Sequence, residues 1–175
     1  MIKFKIGGWA GQGTVRAGSI LGRTLALEQG YEVVQRRSYS AAVRSGIASS
    51  DIIADKEPVD EMVVDEPDYL LILYQKTLDE WRDIAENSRH IIVDSSRVHT
   101  VPEMDGEVHY VPAGEIAENI STSKAANVVL LGALAAVSPE LDLDALERRV
   151  EADFPEKYID MNLKALEQGY TAVDE

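Results

Sequence analysis

Cysteine is absent from the 175-residue chain. That excludes disulfides, a thiol nucleophile and any cysteine-ligated iron–sulfur cluster. If the protein takes part in electron transfer, the relay sits on another polypeptide. Histidine is scarce, and His90, His99 and His109 show no H-x-x-x-H spacing, which argues against a zinc site. No run approaches the roughly 20 apolar residues of a membrane span, and the N-terminus lacks a charged-then-apolar signal pattern. These absences set the expectation of a cytoplasmic protein with no membrane partner. Cations are outnumbered as well: 17 Lys and Arg stand against 31 Asp and Glu, for a net charge of −14. Nucleic acid is therefore a poor partner, because binding it needs a cationic face. Internal repeats, linkers and low-complexity tracts are also missing. What remains is ordinary globular composition, 45% hydrophobic and 27% charged, expected to form one domain over residues 1–175.

The most informative stretch present is Gly8-Trp9-Ala10-Gly11-Gln12-Gly13. It follows an apolar run, Ile2 to Ile6, that reads as a buried strand, and precedes a segment, Thr14 to Gln29, that reads as a helix. A glycine-rich turn at that junction exposes backbone N–H groups at the positive end of a helix dipole, which is a ready anion site. The charges lean the same way. Residues 1–50 hold seven cations (Lys3, Lys5, Arg16, Arg23, Arg36, Arg37, Arg44) against Glu28 and Glu32, a balance of +5, and residues 51–175 carry −19. The cations are expected around the glycine turn.

The remaining pattern alternates. Strands are predicted at 31–37, 47–55, 59–64, 69–74, 91–93 and 107–112, with a hairpin-like turn at Lys56-Glu57-Pro58. A polar helix is predicted at 77–87. Ser123 is a candidate N-cap for a helix over 124–138, which Pro139 stops. Two amphipathic helices follow at 143–154 and 156–168, the second closed by Gly169. The expected fold is a three-layer α/β/α domain with a mixed, mostly parallel sheet and trailing C-terminal helices. In the first helix Ala17, Ile20, Leu21, Thr24 and Leu25 share one face. Gly18 and Gly22 beside them suggest close approach to the sheet, or else to another chain.

Read as G-x-G-x-x-G, the glycine turn fits a dinucleotide fingerprint with Ala10 at its second glycine. Arg36 and Arg37, near the end of the second strand, would then suit the 2′-phosphate of NADP. The opposing reading is a tight strand-to-helix turn without a ligand. A second constellation, Ser38 to Gly46, lies in an irregular stretch where functional loops concentrate. There Arg44, Ser45 and Gly46 could grip a carboxylate or phosphate, or Arg44 could pair with an acid across a subunit boundary. Trp9 could stack on a ligand, anchor a neighbour or pack inside. Trp81 reads as a local core or rim residue. Asn127 could bridge to a partner or satisfy a local carbonyl.

Taken together, these motifs resemble the gamma subunit of the 2-oxoacid:ferredoxin (acceptor) oxidoreductases. The family opens G-x-G-G-Q-G before a helix with an Ala-Gly pair, matched here by Gly8, Ala10, Gly11, Gln12, Gly13 and Ala17-Gly18. Its Ser-Tyr-Gly and Arg-Gly-Gly signature is matched by Ser38-Tyr39-Ser40 and Arg44-Ser45-Gly46. Ala10, Ser40 and Ser45 depart from the family's glycines. The strand to Asp94, the run Asn127 to Leu134 and the close Asn162 to Tyr170 are also similar, so the likeness spans nearly the whole chain in order.

The resemblance implies a subunit of an assembly that oxidatively decarboxylates a 2-oxoacid to its acyl-CoA, with pyruvate, 2-oxoglutarate and branched-chain acids as the family's substrates. The Ala-Ala-Val-Arg-Ser-Gly variant leans toward 2-oxoglutarate. Thiamine diphosphate, Mg and iron–sulfur clusters would sit on partner subunits, namely alpha and beta chains and a ferredoxin-like delta chain. Coenzyme A would be the co-substrate and ferredoxin the acceptor. No Gly-Asp-Gly start to a thiamine-diphosphate motif occurs here, in keeping with a chain that lacks a catalytic or metal site of its own. The candidate coenzyme A or subunit-interface residues are Gly8, Gly11, Gln12, Gly13, Thr14, Arg36, Arg37, Ser38, Tyr39, Arg44, Ser45, Gly46 and Asn127. Two other readings are an independent Rossmann-like NADP-binding oxidoreductase and a plain scaffold module.

Overall fold

A computed structural model describes residues 1–39 and 46–173. Ser40, Arg44 and Ser45 of the second motif lie outside the described residues. Six strands form one sheet: β1 (Ile2–Trp9), β2 (Glu32–Tyr39), β3 (Ile47–Asp55), β4 (Tyr69–Ile72), β5 (His90–Asp94) and β6 (Glu107–Val111). Their order across the sheet is β2-β3-β1-β4-β5-β6. β1, β4, β5 and β6 are parallel neighbours, whereas β3 runs antiparallel to both β1 and β2. The sheet is mixed and mostly parallel, as expected, but for a different reason. No strand forms at 59–64, so the turn at 56–58 closes no hairpin, and β3 alone among the described strands runs against the rest.

Strand alternation sends side chains to two unlike layers. Phe4, Ile6, Ile52, Ala54, Leu71 and Ile92 face a thick helical layer made of α1 (Thr14–Arg23), α4 (Ala113–Ile120), α5 (Ala126–Val137), α6 (Leu143–Asp153) and α7 (Glu156–Thr171). Leu70, Ile72, Ile91 and Val93 face a thin layer built from α2 (Gln75–Glu80), α3 (Arg82–Glu86) and the stretch around Val98 and Met104. The five residues assigned to one face of the first helix are all buried. A side chain at Gly18 would strike Ser50 on β3, so close helix–sheet packing explains that glycine.

Several expectations change. The polar helix is broken into α2 and α3 at Trp81, whose ring lies against Gly7 under the sheet. α4 has no counterpart among the expected helices: it is eight residues long and begins after Pro112 with no side-chain cap to mark its start. The helix expected from 124 begins at Ala126 after a 3₁₀ turn, so Ser123 is not its N-cap. Gly169 does not close α7 but sits inside it, where a side chain would strike the Val129 carbonyl; Gly132 on α5 meets the Leu166 carbonyl in the same way. These two glycines bring α5 and α7 together backbone to backbone. Every residue of α5 from Ala126 to Ala135 is buried, which is why its sequence is apolar all round.

Candidate functional site

The β1–α1 connection crosses the thick layer and the β4–α2–α3–β5 connection crosses the thin one, in opposite directions from the β1/β4 pair. Such a switch point opens a crevice at the carboxyl ends of the strands, where α/β proteins bind ligands. The glycine turn stands at that point. Gln12 holds it there: its Oε1 accepts from the Trp9 N–H at 2.6 Å, and its Nε2 donates to the Leu73 carbonyl at 3.2 Å. Gln12 is thus spent on tying the turn to β4 rather than presented to a ligand. Gly8 and buried Thr14 pack against it.

Gly13 ends the turn at φ +79, a left-handed conformation that glycine adopts without steric cost. The absent side chain also leaves room for Asn127, whose Nδ2 donates to the Gly13 carbonyl at 3.0 Å while its Oδ1 accepts from the Val128 N–H at 2.9 Å. Asn127 therefore satisfies a local carbonyl and joins α5 to the turn. The first backbone bond of α1 runs from Ala17 to Gly13, and the helix has no side-chain cap. Among the described residues, no acceptor meets the N–H groups of Thr14, Val15 and Arg16, which leaves donors at the positive end of the helix.

The two loops meet as well. The Ala10 N–H donates to the Gly46 carbonyl at 2.7 Å, and Gly46, at φ +64, packs on the Trp9 ring. Trp9 is 38% exposed, tilted on Tyr74 at 5.6 Å, with Lys76 5.4 Å above it. It is an aromatic shelf at the mouth rather than a core residue. Ser38 and the exposed Tyr39 lie level with the turn, opposite Ser49 and Ala48.

Arg36 and Arg37 do not join this group. β3 lies between β1 and β2, so both arginines are two strand spacings, about 10 Å, from the turn. They also point to opposite faces: Arg36 pairs in register with Asp51, while Arg37 donates to Ser19 on α1 at 3.0 Å. A 2′-phosphate clamp of the Rossmann kind needs the second strand beside the first, so this geometry counts against the NADP reading. Nor do all seven N-terminal cations gather at the turn. Lys5 is buried against Asp51 at 2.7 Å, Lys3 pairs with Glu61, and Arg23 pairs with Asp153 at 3.0 Å.

Different cations ring the edge. Arg16 stacks on Phe154 at 4.1 Å and, with Lys124, Asn127, Tyr158 and Met161, lines a cavity of about 430 Å³ beside the helix terminus. A second cleft joins Trp9, Tyr74, Lys76, Arg97 and His99. Lys76 lies in the first turn of α2, just past β4, and Arg97 in the turn after β5, so both stand near the carboxyl ends of central strands.

At the other end of the sheet, His90 and His109 are not scattered. Parallel pairing sets His90 opposite Glu107, and alternation turns His109 to the same face. Burial holds the His109 imidazole below the usual histidine range, against the upward pull of Glu107 and with a downward push from His90.

An α/β chain with a glycine turn at a switch point defines the class, and comparison with known proteins places it within that class. The profile described as pyruvate ferredoxin/flavodoxin oxidoreductase matches residues 3–172, so the chain belongs to that family. Within it the chain is a gamma subunit of a multi-subunit 2-oxoacid:ferredoxin oxidoreductase. It is 33% identical over 176 residues to the 2-oxoglutarate synthase subunit KorC of Methanocaldococcus jannaschii, covering 99% of this chain and 94% of that one. It is 35% identical over 173 residues to the ketoisovalerate oxidoreductase subunit VorA of Methanothermobacter thermautotrophicus, covering 96% of this chain and 35% of that one. The gamma subunit structure of a keto/oxoacid ferredoxin oxidoreductase from Geobacter sulfurreducens matches with a TM-score of 0.87 at 26% identity, over 99% of this chain and 98% of that one.

Proposed function

We propose that residues 1–175 form one gamma-type unit of a cytoplasmic complex that oxidatively decarboxylates a 2-oxoacid, 2-oxoglutarate in first place, to its acyl-CoA. In this reading the chain binds no redox cofactor. Alpha and beta subunits carry thiamine diphosphate and Mg, a ferredoxin-like delta subunit carries iron–sulfur clusters, and ferredoxin takes the electrons. The gamma chain supplies a docking edge for the phosphates of coenzyme A. The observation that carries this is the uncapped N-terminus of α1 at the switch point, with Arg16 and Lys124 across one cavity. Unpaired N–H donors and nearby guanidinium and ammonium groups are what a phosphate needs. Gly8, Gly11, Gln12, Gly13, Thr14 and Asn127 shape that edge. Ser38, Tyr39 and Gly46, with one of the two arginines Arg36 and Arg37, contribute to the contact with a neighbouring subunit.

The test uses the assembled complex carrying Arg16→Glu with Lys124→Glu. Loss of these charge-assisted contacts should raise the KM for coenzyme A at least about tenfold, or about 1.4 kcal/mol, with the KM for the 2-oxoacid unchanged. An unaltered KM for coenzyme A in an intact complex removes the docking role. A panel of 2-oxoglutarate, pyruvate and 3-methyl-2-oxobutanoate reads the substrate, and preference for either of the last two overturns the first-place assignment.

A further inference from the structure

The sheet end opposite the glycine turn holds a second chemical constellation. His90 Nδ1 lies 3.4 Å from His109 Nε2 and 3.5 Å from one Glu107 carboxylate oxygen; the other carboxylate oxygen is 4.0 Å from His109 Nε2. One ligand atom from each residue can be chosen so that all lie within 4.8 Å of one another. Two nitrogens bound about 2.05 Å from a tetrahedral Zn²⁺ stand about 3.3 Å apart, so the spacing of the imidazoles matches that of ligands to one ion. We propose that His90, His109 and Glu107 form a binding site for a first-row divalent cation, with Zn²⁺ the best matched.

The strands build this arrangement without a helical spacing motif. Glu107 and His109 are two apart on β6 and share a face, and His90 is the register partner of Glu107 on β5. The rings are also held before any ion arrives. Phe4, Tyr69, His90 and His109 stack in a row across four strands, with neighbouring centroids 5.2, 5.2 and 5.6 Å apart. Both histidine side chains are mostly buried, whereas Glu107 is 67% exposed, so the cation would sit at the surface with one side of its shell open to water. Two imidazoles and one carboxylate with an open position form a donor set that suits zinc and its first-row neighbours. The ion would clasp the edge strand β6 to β5. This site is independent of the coenzyme A reading, being on the far edge of the sheet.

The experiment treats the full chain with chelator, then titrates Zn²⁺ by calorimetry and Co²⁺ by visible absorption. One equivalent should bind, with a four-coordinate Co²⁺ spectrum and a rise in Tm on loading. His90→Gln and His109→Asn should each weaken Zn²⁺ binding at least about tenfold, while His99→Asn, a histidine at the other sheet end, leaves it within about twofold. Glu107→Gln, at an exposed position that leaves the ring row packed, should weaken binding too, and circular dichroism checks that each variant is folded. No saturable binding by the native chain overturns the proposal, as does binding that survives both the Glu107 change and a folded histidine variant.

Discussion

Asn127 on α5 donates to the carbonyl of Gly13 at 3.0 Å, across 114 residues of sequence. That bond sets the buried central helix and the start of α1 in one fixed relation, and the glycine turn is shaped by both. Replacing Asn127, 4% exposed, with Ala removes one of the two donors to the Gly13 carbonyl and takes from the buried Val128 N–H its acceptor. An expected loss of about 1–3 kcal/mol follows, read as a lower urea midpoint at unchanged m-value. Stability equal to that of the native chain would show that water replaces the amide without cost.

The buried pair Lys5–Asp51 joins β1 to β3 in register, and Lys5 also donates to the Val64 carbonyl at 2.8 Å. Both residues are less than a tenth exposed, so removing one partner leaves an uncompensated charge. Asp51→Asn or Lys5→Met should each cost about 3–5 kcal/mol, and the double change Lys5→Met with Asp51→Leu should cost less than either. Chemical denaturation of the three variants checks the order. Additive losses would mean that the two groups do not act as a pair.

Gly169 offers a test with an inverted sign. Alanine is about 1 kcal/mol better than glycine inside a helix, so propensity alone predicts a gain. The Val129 carbonyl leaves no room for the methyl group, and backbone cannot swing aside. Gly169→Ala should therefore lower stability by about 1–3 kcal/mol, the usual cost of overpacking. A raised Tm would show that α7 is free to move off α5.

His109 gives a pH dependence with a definite direction. Its folded pKa lies below the unfolded value of 6.5, because burial disfavours the imidazolium. The unfolded chain therefore takes up this proton first as pH falls. The contribution to stability is complete above about pH 6.5 and is lost on acidification through the interval down to the folded pKa. Metal-free native chain should lose stability as the pH falls below about 6.5, and His109→Asn should flatten that part of the curve. The same slope in both proteins would assign it to other groups.

The class of structure and the place of the glycine turn were legible along the chain without any knowledge of the fold. The alternation of Ile2, Phe4 and Ile6 and the apolar run Ile91 to Val93 made strands, and the spacing of Ala17, Ile20, Leu21 and Leu25 made a helix, because burial selects these periods locally. The lack of cysteine was equally direct, since no folding can restore an absent ligand. Tertiary structure decided the rest, because contacts between distant residues leave little local trace. Inserting β3 between β1 and β2 moved Arg36 and Arg37 away from the turn, although they lie near the end of the next strand in sequence. Strand register, set by hydrogen bonding between strands, brought His90 to Glu107 and His109. Only close packing of α5 on α7 gave Gly132 and Gly169 their purpose, and only the fold turned Asn127 onto Gly13.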